Sequence, residues 1–378
     1  MSPANEAELA AMVADATDPL RIVGGGTRAI GAPAPGEVVS LAAMSGIELY
    51  EPGALTLLAR AGTPLAEIEA LLESEGQMLP FEPPHMGGLL GRDGTSTLGG
   101  VVATNAAGPR RLQAGACRDA LIGVRFVDGS GTIVKNGGRV MKNVTGYDLV
   151  KLMAGSWGTL GVLSEVAFRV LPKLNGATLA VQSAGPSEAV DIMTKAMTSP
   201  FDVNGAGFVP GEAVYIRVEG LEASVAYRVG QLRDLIGGEI DVIDDPVASA
   251  KLWQRLRDVT DFAEGSAAVW RVSMKATDLL EQIEALEGAE YRLDWAGGLA
   301  WVRMVDGAAE ADVVALHQAL QAACLAKGGH ATLMRARDAV LGQVPAFQPE
   351  APGVARLSAG LRQKFDPRGV LNAGLMGA

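Results

Sequence analysis

The segment from residue 83 to residue 115 contains eight glycines and few bulky side chains. Glycine lacks a Cβ and tolerates positive φ, so backbone of this kind lies flush against a large flat ligand. Such backbone fills a hydrophobic core poorly, apart from the short apolar run at residues 101–103. We therefore expect the segment to pack on a bound ligand, and the rest of the chain narrows the choice of ligand.

Charge and cysteine content exclude several classes of partner. The chain has 378 residues and a formal net charge of −11, whereas nucleic acid or an anionic membrane requires a basic face. Its cysteines, Cys117 and Cys324, form no CxxC pattern, so we expect no iron–sulfur cluster on this chain. The acidic N-terminus does not resemble a signal peptide, and no window has ~18 uninterrupted apolar residues. These features predict a cytoplasmic protein without a membrane span. Any association with a membrane is expected to occur through partner subunits.

Length and pattern predict two domains and a returning tail. Since ~150 residues per domain is typical, we predict a first domain over residues 1–173, with subdomains of about 1–62 and 63–173. A second domain follows over 174–350 and a C-terminal return over 351–378. In the second domain apolar strands alternate with amphipathic helices, which predicts an α+β domain whose antiparallel sheet is covered on one face. The predicted strands are 177–183, 202–208, 213–218, 268–275, 290–294 and 299–304, and the helices 187–198, 222–236, 246–261, 276–287 and 308–326.

The first motif is a strand that runs into a glycine loop at residues 21–31. Consecutive backbone N–H groups in such a loop converge on one anion, and a hydroxyl and a guanidinium follow here. The loop is neither a P-loop nor a GxGxxG fingerprint, because Ala29 stands where the third glycine would be. It predicts a pyrophosphate cradle, with a plain tight turn as the alternative. The predicted contacts are Gly24, Gly25, Gly26, Thr27 and Arg28.

The second motif lies inside the glycine-rich segment. Its glycines flank a short apolar element and allow backbone amides to meet a ring system and its phosphates. Thr104 and Asn105 add hydrogen-bonding side chains, and the apolar run argues against a mere surface loop. The predicted contacts are Thr97, Leu98, Gly99, Gly100, Thr104, Asn105, Gly108, Pro109 and Arg110.

The third motif is a sharp turn before a β-rich run. Gly158 and Gly161 bracket a Thr-Leu pair there, which predicts that the backbone turns close to the ligand. We predict contacts from Gly158, Gly161 and Val162, and interpret the neighbouring Trp157 as a packing residue.

In this order, the three motifs resemble the FAD-binding domain of the vanillyl-alcohol oxidase (PCMH-type) flavoprotein family. The tail at 365–374 resembles the C-terminal return of the branch that acts on glycolate, lactate and 2-hydroxyglutarate. The resemblance implies a PCMH-type domain of two α+β subdomains that clamp an extended FAD, followed by an antiparallel α+β cap domain. It places Asn372 near the flavin. It also implies non-covalent FAD, because Thr27 and Arg28 stand where covalent members carry a histidine.

Three further segments, at 81–85, 107–111 and 141–148, resemble the FAD-binding subunits of bacterial glycolate oxidase. That resemblance implies an FAD-dependent oxidoreductase that converts glycolate, a small 2-hydroxy acid, to glyoxylate. It implies two partners, a paralogous flavoprotein subunit and an iron–sulfur subunit that receives the electrons. It also places substrate oxidation on the paralogous subunit, so that the flavin here is a second redox centre or a structural cofactor.

One segment of the catalytic branch members is incomplete here. Those members carry an HxGDGNxH-like segment that supplies a metal site and a base, whereas residues 328–335 keep only His330. We expect no metal site, because such a site needs three or more N, O or S ligands and the sequence pattern, with 3 histidines in the chain, shows no such set. His330 remains a candidate general base, and Arg335 and Arg337 are candidates to hold a substrate carboxylate. Interface roles for all three residues stay open, as do a self-sufficient 2-hydroxy acid dehydrogenase and a non-catalytic scaffold.

Overall fold

The computed structural model describes residues 1–138, 146–183 and 185–377. Most of the glycolate-oxidase-like segment at 141–148 therefore lies outside the described residues. Within the described ranges, no helix is long and apolar enough to cross a membrane.

The first half of the chain, up to Pro172, contains nine strands and seven helices among its described residues. The strands are β1 (Leu20–Val23), β2 (Glu37–Ser40), β3 (Ile47–Glu51), β4 (Thr56–Arg60), β5 (Gln77–Met78), β6 (Leu121–Val127), β7 (Ile133–Gly137), β8 (Val162–Arg169) and β9 (Leu171–Pro172). The helices are α1 (Glu6–Asp15), α2 (Leu65–Ser74), α3 (Gly87–Leu90), α4 (Leu98–Ala103), α5 (Arg111–Ala114), α6 (Cys117–Ala120) and α7 (Leu149–Met153), with a 3₁₀ helix at Pro52–Ala54.

An antiparallel five-stranded sheet in the order β3-β4-β8-β6-β7 forms the centre of this half. A parallel pair, β1-β2, and an antiparallel pair, β5-β9, flank it. Because β4 pairs with β8, the predicted subdomain boundary near residue 62 does not separate two sheets. Helix α2 buries Leu65, Ile68 and Leu72 against the central sheet, as their helical spacing predicts.

The second half forms one antiparallel sheet, here called the cap sheet. Its strands are β10 (Gly176–Val181), β11 (Val203–Val209), β12 (Ala213–Glu219), β13 (Ile240–Ile243), β14 (Val269–Ser273), β15 (Ala289–Asp294), β16 (Leu299–Met304) and β17 (His330–Arg335). The helices are α8 (Pro186–Met197), α9 (Glu222–Ile236), α10 (Pro246–Asp258), α11 (Ala276–Glu284), α12 (Glu310–Lys327) and α13 (Asp338–Leu341), with 3₁₀ helices at Thr260–Phe262 and Trp295–Gly297.

The strand order of the cap sheet is β13-β10-β12-β11-β15-β16-β14-β17. Helices α8, α9, α11 and α12 contribute buried residues to the same core as the sheet, in agreement with the predicted covered face. Helix α10 packs through Trp253 in a separate cluster, where the indole Nε1 donates to Thr178 Oγ1 at 2.8 Å. Ala180 and Tyr215 of that cluster alternate along their strands with residues of the main core, so α10 lies on the opposite face of the sheet. The cap is α+β as predicted, but the prediction that only one face is covered is wrong, because helices pack on both faces.

The chain then returns to the first half. Helix α14 (Pro352–Phe365) precedes a turn in which Asp366 accepts from the backbone N–H groups of Val370 and Leu371. Leu371 forms a parallel bridge with Leu20, and the Leu20 N–H donates to the Val370 carbonyl at 2.7 Å. The C-terminal return is thus fixed beside β1.

A buried ionic cluster joins the two halves. Arg217 of β12 donates two hydrogen bonds to the carboxylate of Glu82, each of 2.9 Å, and a third to Asn204. Arg110 lies 3.4 Å from Glu82 and also pairs with Glu219. Burial alone would raise the pKa of Glu82, but the charges of Arg217 and Arg110 lower it. The cluster is therefore held in its charged form and fixes the cap sheet on the glycine-rich half.

We predict that Glu82→Gln destabilises the chain by ~3 kcal/mol, because it leaves buried guanidinium groups with one carboxylate fewer. The free energy of unfolding in urea measures the loss. The matched control is Glu48→Gln, which breaks the exposed pair with Arg60 and is expected to cost less than ~1 kcal/mol. Equal losses in the two variants would contradict a structural role for the cluster.

Candidate functional site

A groove of about 310 Å³ crosses the glycine-rich half. Four separate segments line it: the loop after β1, the segment around α4, the turn before β8 and the C-terminal return. The groove brings together most of the predicted contacts, namely Gly24, Gly25, Gly26, Thr27, Arg28, Thr97, Gly99, Gly100, Thr104, Gly158, Gly161, Val162 and Asn372.

The loop has glycines without side chains because it packs tightly against residues 95–97 of the same chain. A Cβ on Gly25 would lie 1.5 Å from the Thr95 carbonyl oxygen, and one on Gly24 would lie 2.4 Å from Thr97 Oγ1. Gly26 has a φ of +80°, which side-chain-bearing residues rarely adopt. The close approach to residues 95–97 leaves peptide groups as one wall of the groove.

Asn372 ties three segments of the groove wall together. Its Oδ1 accepts from the Ile22 N–H at 2.8 Å, and its Nδ2 donates to the Trp157 carbonyl at 2.8 Å. A Cβ on Gly158 would lie 2.9 Å from that Nδ2. The asparagine and the glycine of the third motif are therefore matched to each other.

Arg28 is one of three arginines that line the groove, with Arg21 and Arg92. Its guanidinium donates to the Pro84 carbonyl at 2.5 Å and to Ser96 at 3.4 Å, while its buried Nε has no partner among the described residues. Burial lowers its pKa to about 10. A buried cation with an unpartnered donor favours an anionic or carbonyl-bearing ligand beside it.

The remaining predicted contacts do not line the groove. Leu98 is fully buried in the core of the first half. Asn105 accepts from the Arg118 N–H and faces a second cavity. Gly108 approaches Glu82 so closely that a Cβ would lie 2.2 Å from its carbonyl oxygen. The segment Gly108–Pro109–Arg110 thus belongs to the junction with the cap sheet.

The second cavity, here called the cap cavity, has a volume of about 700 Å³. It shares Arg28, Thr104 and Trp157 with the groove, so the two spaces meet at these residues. Its other polar lining residues include Asn105, Arg111, Arg271, Ser273, His330, Thr332, Gln348 and Glu350.

One face of the β14–β17 pair forms the polar wall of the cap cavity. Arg271 stands opposite Thr332 and Ser273 opposite His330 in the register of the two strands. Residues two apart on a strand point to the same face, so these four side chains share one surface.

Arg271 has an uncommitted guanidinium. It lies over the Trp295 ring, 4.8 Å from the ring centroid, and donates no side-chain hydrogen bond to any residue that the structure describes. Burial and then the charge of Arg111 lower its pKa to about 10. Arg111 lies 5.6 Å from the same ring, so Trp295 contacts both guanidinium groups. The pair concentrates positive charge that an anion in the cap cavity would neutralise.

Of the three candidate substrate residues, only His330 lines the cap cavity. Arg335 donates to four backbone carbonyls, those of Ala267, Leu89, Ala263 and Phe262, and so ties β17 to neighbouring segments. Arg337 donates to the Ala308 carbonyl and lines a different, small pocket. The structure therefore does not bring the two arginines to the space that His330 faces.

Several lining residues escaped sequence reasoning. The groove includes Ala32, Pro33, Ala34 and Arg92, and the cap cavity includes Arg111, Arg271 and Trp295. Trp157, which the sequence analysis interpreted as a packing residue, lines both spaces. Small apolar residues carry no recognisable signal. Arg271 did carry one, since it interrupts the apolar strand at 268–274.

The groove fits an extended dinucleotide. Peptide groups line one side, and two buried guanidinium nitrogens in its lining, Nε of Arg21 and Nε of Arg28, have no partner among the described residues. No histidine, cysteine or tyrosine stands among the lining residues that the structure describes. The arrangement is that of a flavoprotein of the PCMH-type class, which binds FAD.

The comparisons with known proteins agree with this class. A family model described as an FAD binding domain matches residues 1–137. The solved structure of alkyldihydroxyacetonephosphate synthase covers 99% of this chain and 76% of its own, with a TM-score of 0.72 at 15% identity, and so shows the shared fold.

The glycolate oxidase subunit GlcE of Escherichia coli is 36% identical over 95% of this chain and 92% of its own length. The glycolate oxidase subunit GlcD of Bacillus subtilis is 34% identical over 40% of this chain, but only 31% of GlcD is covered. The chain belongs to the GlcE family of glycolate oxidase subunits, which are FAD-binding oxidoreductases.

We predict that Gly25→Ala weakens FAD binding about tenfold or more, because the added Cβ would clash with Thr95 and displace the loop. A cost of only ~1.4 kcal/mol in the bound state already lowers the affinity tenfold. The 450-nm absorbance per chain and an FAD titration of the apoprotein measure the effect. Gly53→Ala is the control, since a Cβ there meets nothing within 4 Å. Full FAD affinity in Gly25→Ala would show that the loop does not shape the cofactor site.

Proposed function

We propose that the chain is the FAD-binding subunit of a heteromeric glycolate dehydrogenase, and that its own cap cavity takes the 2-hydroxy acid. The observation that carries the proposal is the junction at Arg28, Thr104 and Trp157, three residues that line both the groove and the cap cavity. A cofactor whose ring end reaches that junction contacts any small molecule in the cavity.

The charges of the cap cavity favour a small carboxylic acid. Among its described lining residues are three arginines, Arg28, Arg111 and Arg271, and one carboxylate, that of Glu350. Arg271 supplies paired N–H donors for the substrate carboxylate, which replaces the role predicted for Arg335 and Arg337. The apolar ring of Trp295 holds that guanidinium in place.

His330 completes the set of groups that the reaction needs. Conversion of glycolate to glyoxylate removes the hydroxyl proton and the α-hydrogen with its electron pair. His330 shares the face of Arg271, so we assign it the hydroxyl proton. FAD, when bound, supplies the acceptor for the hydride. Non-covalent attachment is supported by the groove lining, which offers no histidine, cysteine or tyrosine within the described residues.

The electrons then leave through an iron–sulfur partner subunit. The chain has 2 cysteines, both buried and free, so it supplies no cluster ligands of its own. The relatives GlcE and GlcD are named as glycolate oxidase subunits, which supports a multi-subunit enzyme. We propose the paralogous flavoprotein subunit as the second partner.

Anaerobic bleaching of the flavin by glycolate tests the location of the chemistry. We expect the purified chain with FAD to lose its 450-nm absorbance when glycolate is added. The complex with both partner subunits should then reduce an external acceptor catalytically. Bleaching only in the complex would instead place the oxidation on the paralogous subunit and leave this flavin as a relay.

We predict that Arg271→Met weakens glycolate binding by roughly tenfold to a hundredfold, since hydrogen bonds to charged groups contribute ~1.5–3 kcal/mol. The shift of the flavin spectrum on titration with glycolate, or with a non-oxidisable dicarboxylate, measures the affinity. Arg337→Met is the matched control, because Arg337 lies outside the cap cavity. Equal affinities in the two variants would remove Arg271 from the substrate site.

A further inference from the structure

Helix α14 has almost no packing on its own chain. Of its 14 residues none is buried, whereas every other helix of comparable length contributes at least two buried residues. Amphipathic helices in proteins are stabilised mainly by the packing of an apolar face, and an isolated helix of this length is marginal in water. The helix therefore lacks the contacts that would account for its stability.

An apolar stripe runs along α14 and is uncovered. Val354, Leu357 and Leu361 follow the i, i+3, i+7 spacing of one helical face and are 52%, 71% and 39% exposed. The stripe ends at Phe365, whose ring packs against Phe126 with centroids 6.1 Å apart. The last turn of α14 is thus anchored on the first half, while the preceding turns present leucine and valine to solvent.

One end of the stripe lines the cap cavity, which an exposed leucine of another helix also lines. Val354 lines that cavity together with Leu325 of α12, which is 61% exposed. Exposed apolar side chains that form a contiguous patch mark interaction sites, whereas single ones need no explanation. The patch of Leu325, Val354, Leu357 and Leu361 is here called the α14 face.

The charge of α14 is opposite to that of the chain. The helix contains Arg356, Arg362 and Lys364 and no acidic residue, in a chain with 43 acidic and 32 basic residues. On the helical wheel Arg362 and Lys364 fall on either side of the stripe. A complementary surface is an apolar groove whose rim carries aspartate and glutamate.

We propose that the α14 face is the docking surface for a partner subunit of the oxidase complex, a protein that presents an apolar groove rimmed by carboxylates. The proposal rests on the heteromeric assembly proposed above. A subunit seated there also borders the cap cavity at Leu325 and Val354, so docking covers that part of the cavity rim.

Leu357→Glu tests the docking surface in the co-expressed complex with both partner subunits. We expect at least a tenfold loss of partner subunits that co-purify with the tagged chain, because a carboxylate enters an acid-rimmed apolar groove. The melting temperature and the FAD content of the separately purified variant should equal those of the wild type, since the side chain is exposed in the lone chain. Leu221→Glu, at a leucine 79% exposed just before α9, is the matched control and should assemble normally.

Four outcomes would overturn the proposal. The first is normal assembly of Leu357→Glu beside an assembling wild type, which removes the surface and leaves the proposed function intact. The second is a fall in the melting temperature of the lone variant, which shows that α14 packs on its own chain. The third is a wild-type dimer in light scattering that Leu357→Glu dissociates, which assigns the face to a second copy. The fourth is binding of the lone chain to anionic vesicles that the variant loses, which assigns it to a membrane.

A wild-type chain that retains FAD yet never co-purifies with either partner would refute the heteromeric part of the proposed function and the docking surface with it. Glycolate bleaching of that chain would still stand on its own. The failures of the two proposals are therefore distinguishable.

Discussion

Glu82 and Arg217 form a bidentate ion pair at the boundary between the glycine-rich half and the cap sheet, and Arg110 and Glu219 extend it. Two charged pairs buried together are costly unless their donors and acceptors are matched, and here Asn204 accepts from the remaining Nε of Arg217, whereas the buried Nε of Arg110 has no hydrogen-bond partner among the described residues. The geometry of the cluster sets how the two halves meet. Because the cap cavity lies between those halves, its shape depends on this interface.

The interface also positions the aromatic side of the cavity. The indole Nε1 of Trp295 donates to the Gly108 carbonyl at 3.0 Å, next to the ionic cluster. Trp295 and the following Ala296 both have positive φ, an arrangement that costs energy in residues with side chains and persists where the surroundings enforce it. The ring contacts Arg271 and Arg111 in this conformation. An acidic chain thus keeps a concentrated positive region inside, next to the glycine-lined groove.

Sequence patterns predicted the elements that are buried on a regular face. The helix at 222–236 and the strand at 299–304 lie where their periodicity placed them. In the cap sheet two strands were missed, β13 and β17, and they are its two edges. An edge strand has one unpaired side and is partly exposed, so its hydrophobic pattern is weak; β13 contains no fully buried residue.

The residues of the candidate site likewise include some that sequence patterns predicted and some that they missed. The three glycine motifs indicated the groove because bare backbone is itself a sequence signal. Gly108 carried the same signal for another reason, the close approach of Glu82, and sequence does not distinguish a ligand from a neighbouring peptide. Arg271 was overlooked because its neighbours in the cap cavity are distant in sequence. The pairing of β14 with β17 brings His330 to the same face of the sheet, and the turn after β15 brings the Trp295 ring under the guanidinium.

Asn372 determines when one part of the groove wall can form during folding. Its side chain bridges Ile22 and Trp157, residues that leave the ribosome long before it does. During synthesis the nascent chain can form the central sheet and the glycine loop, yet the hydrogen-bonded bridge between Ile22 and Trp157 cannot form until Asn372 has been translated. The hydrogen bond to Ile22 spans 350 positions of sequence, so this part of the groove wall forms only after the intervening cap sheet has been synthesised.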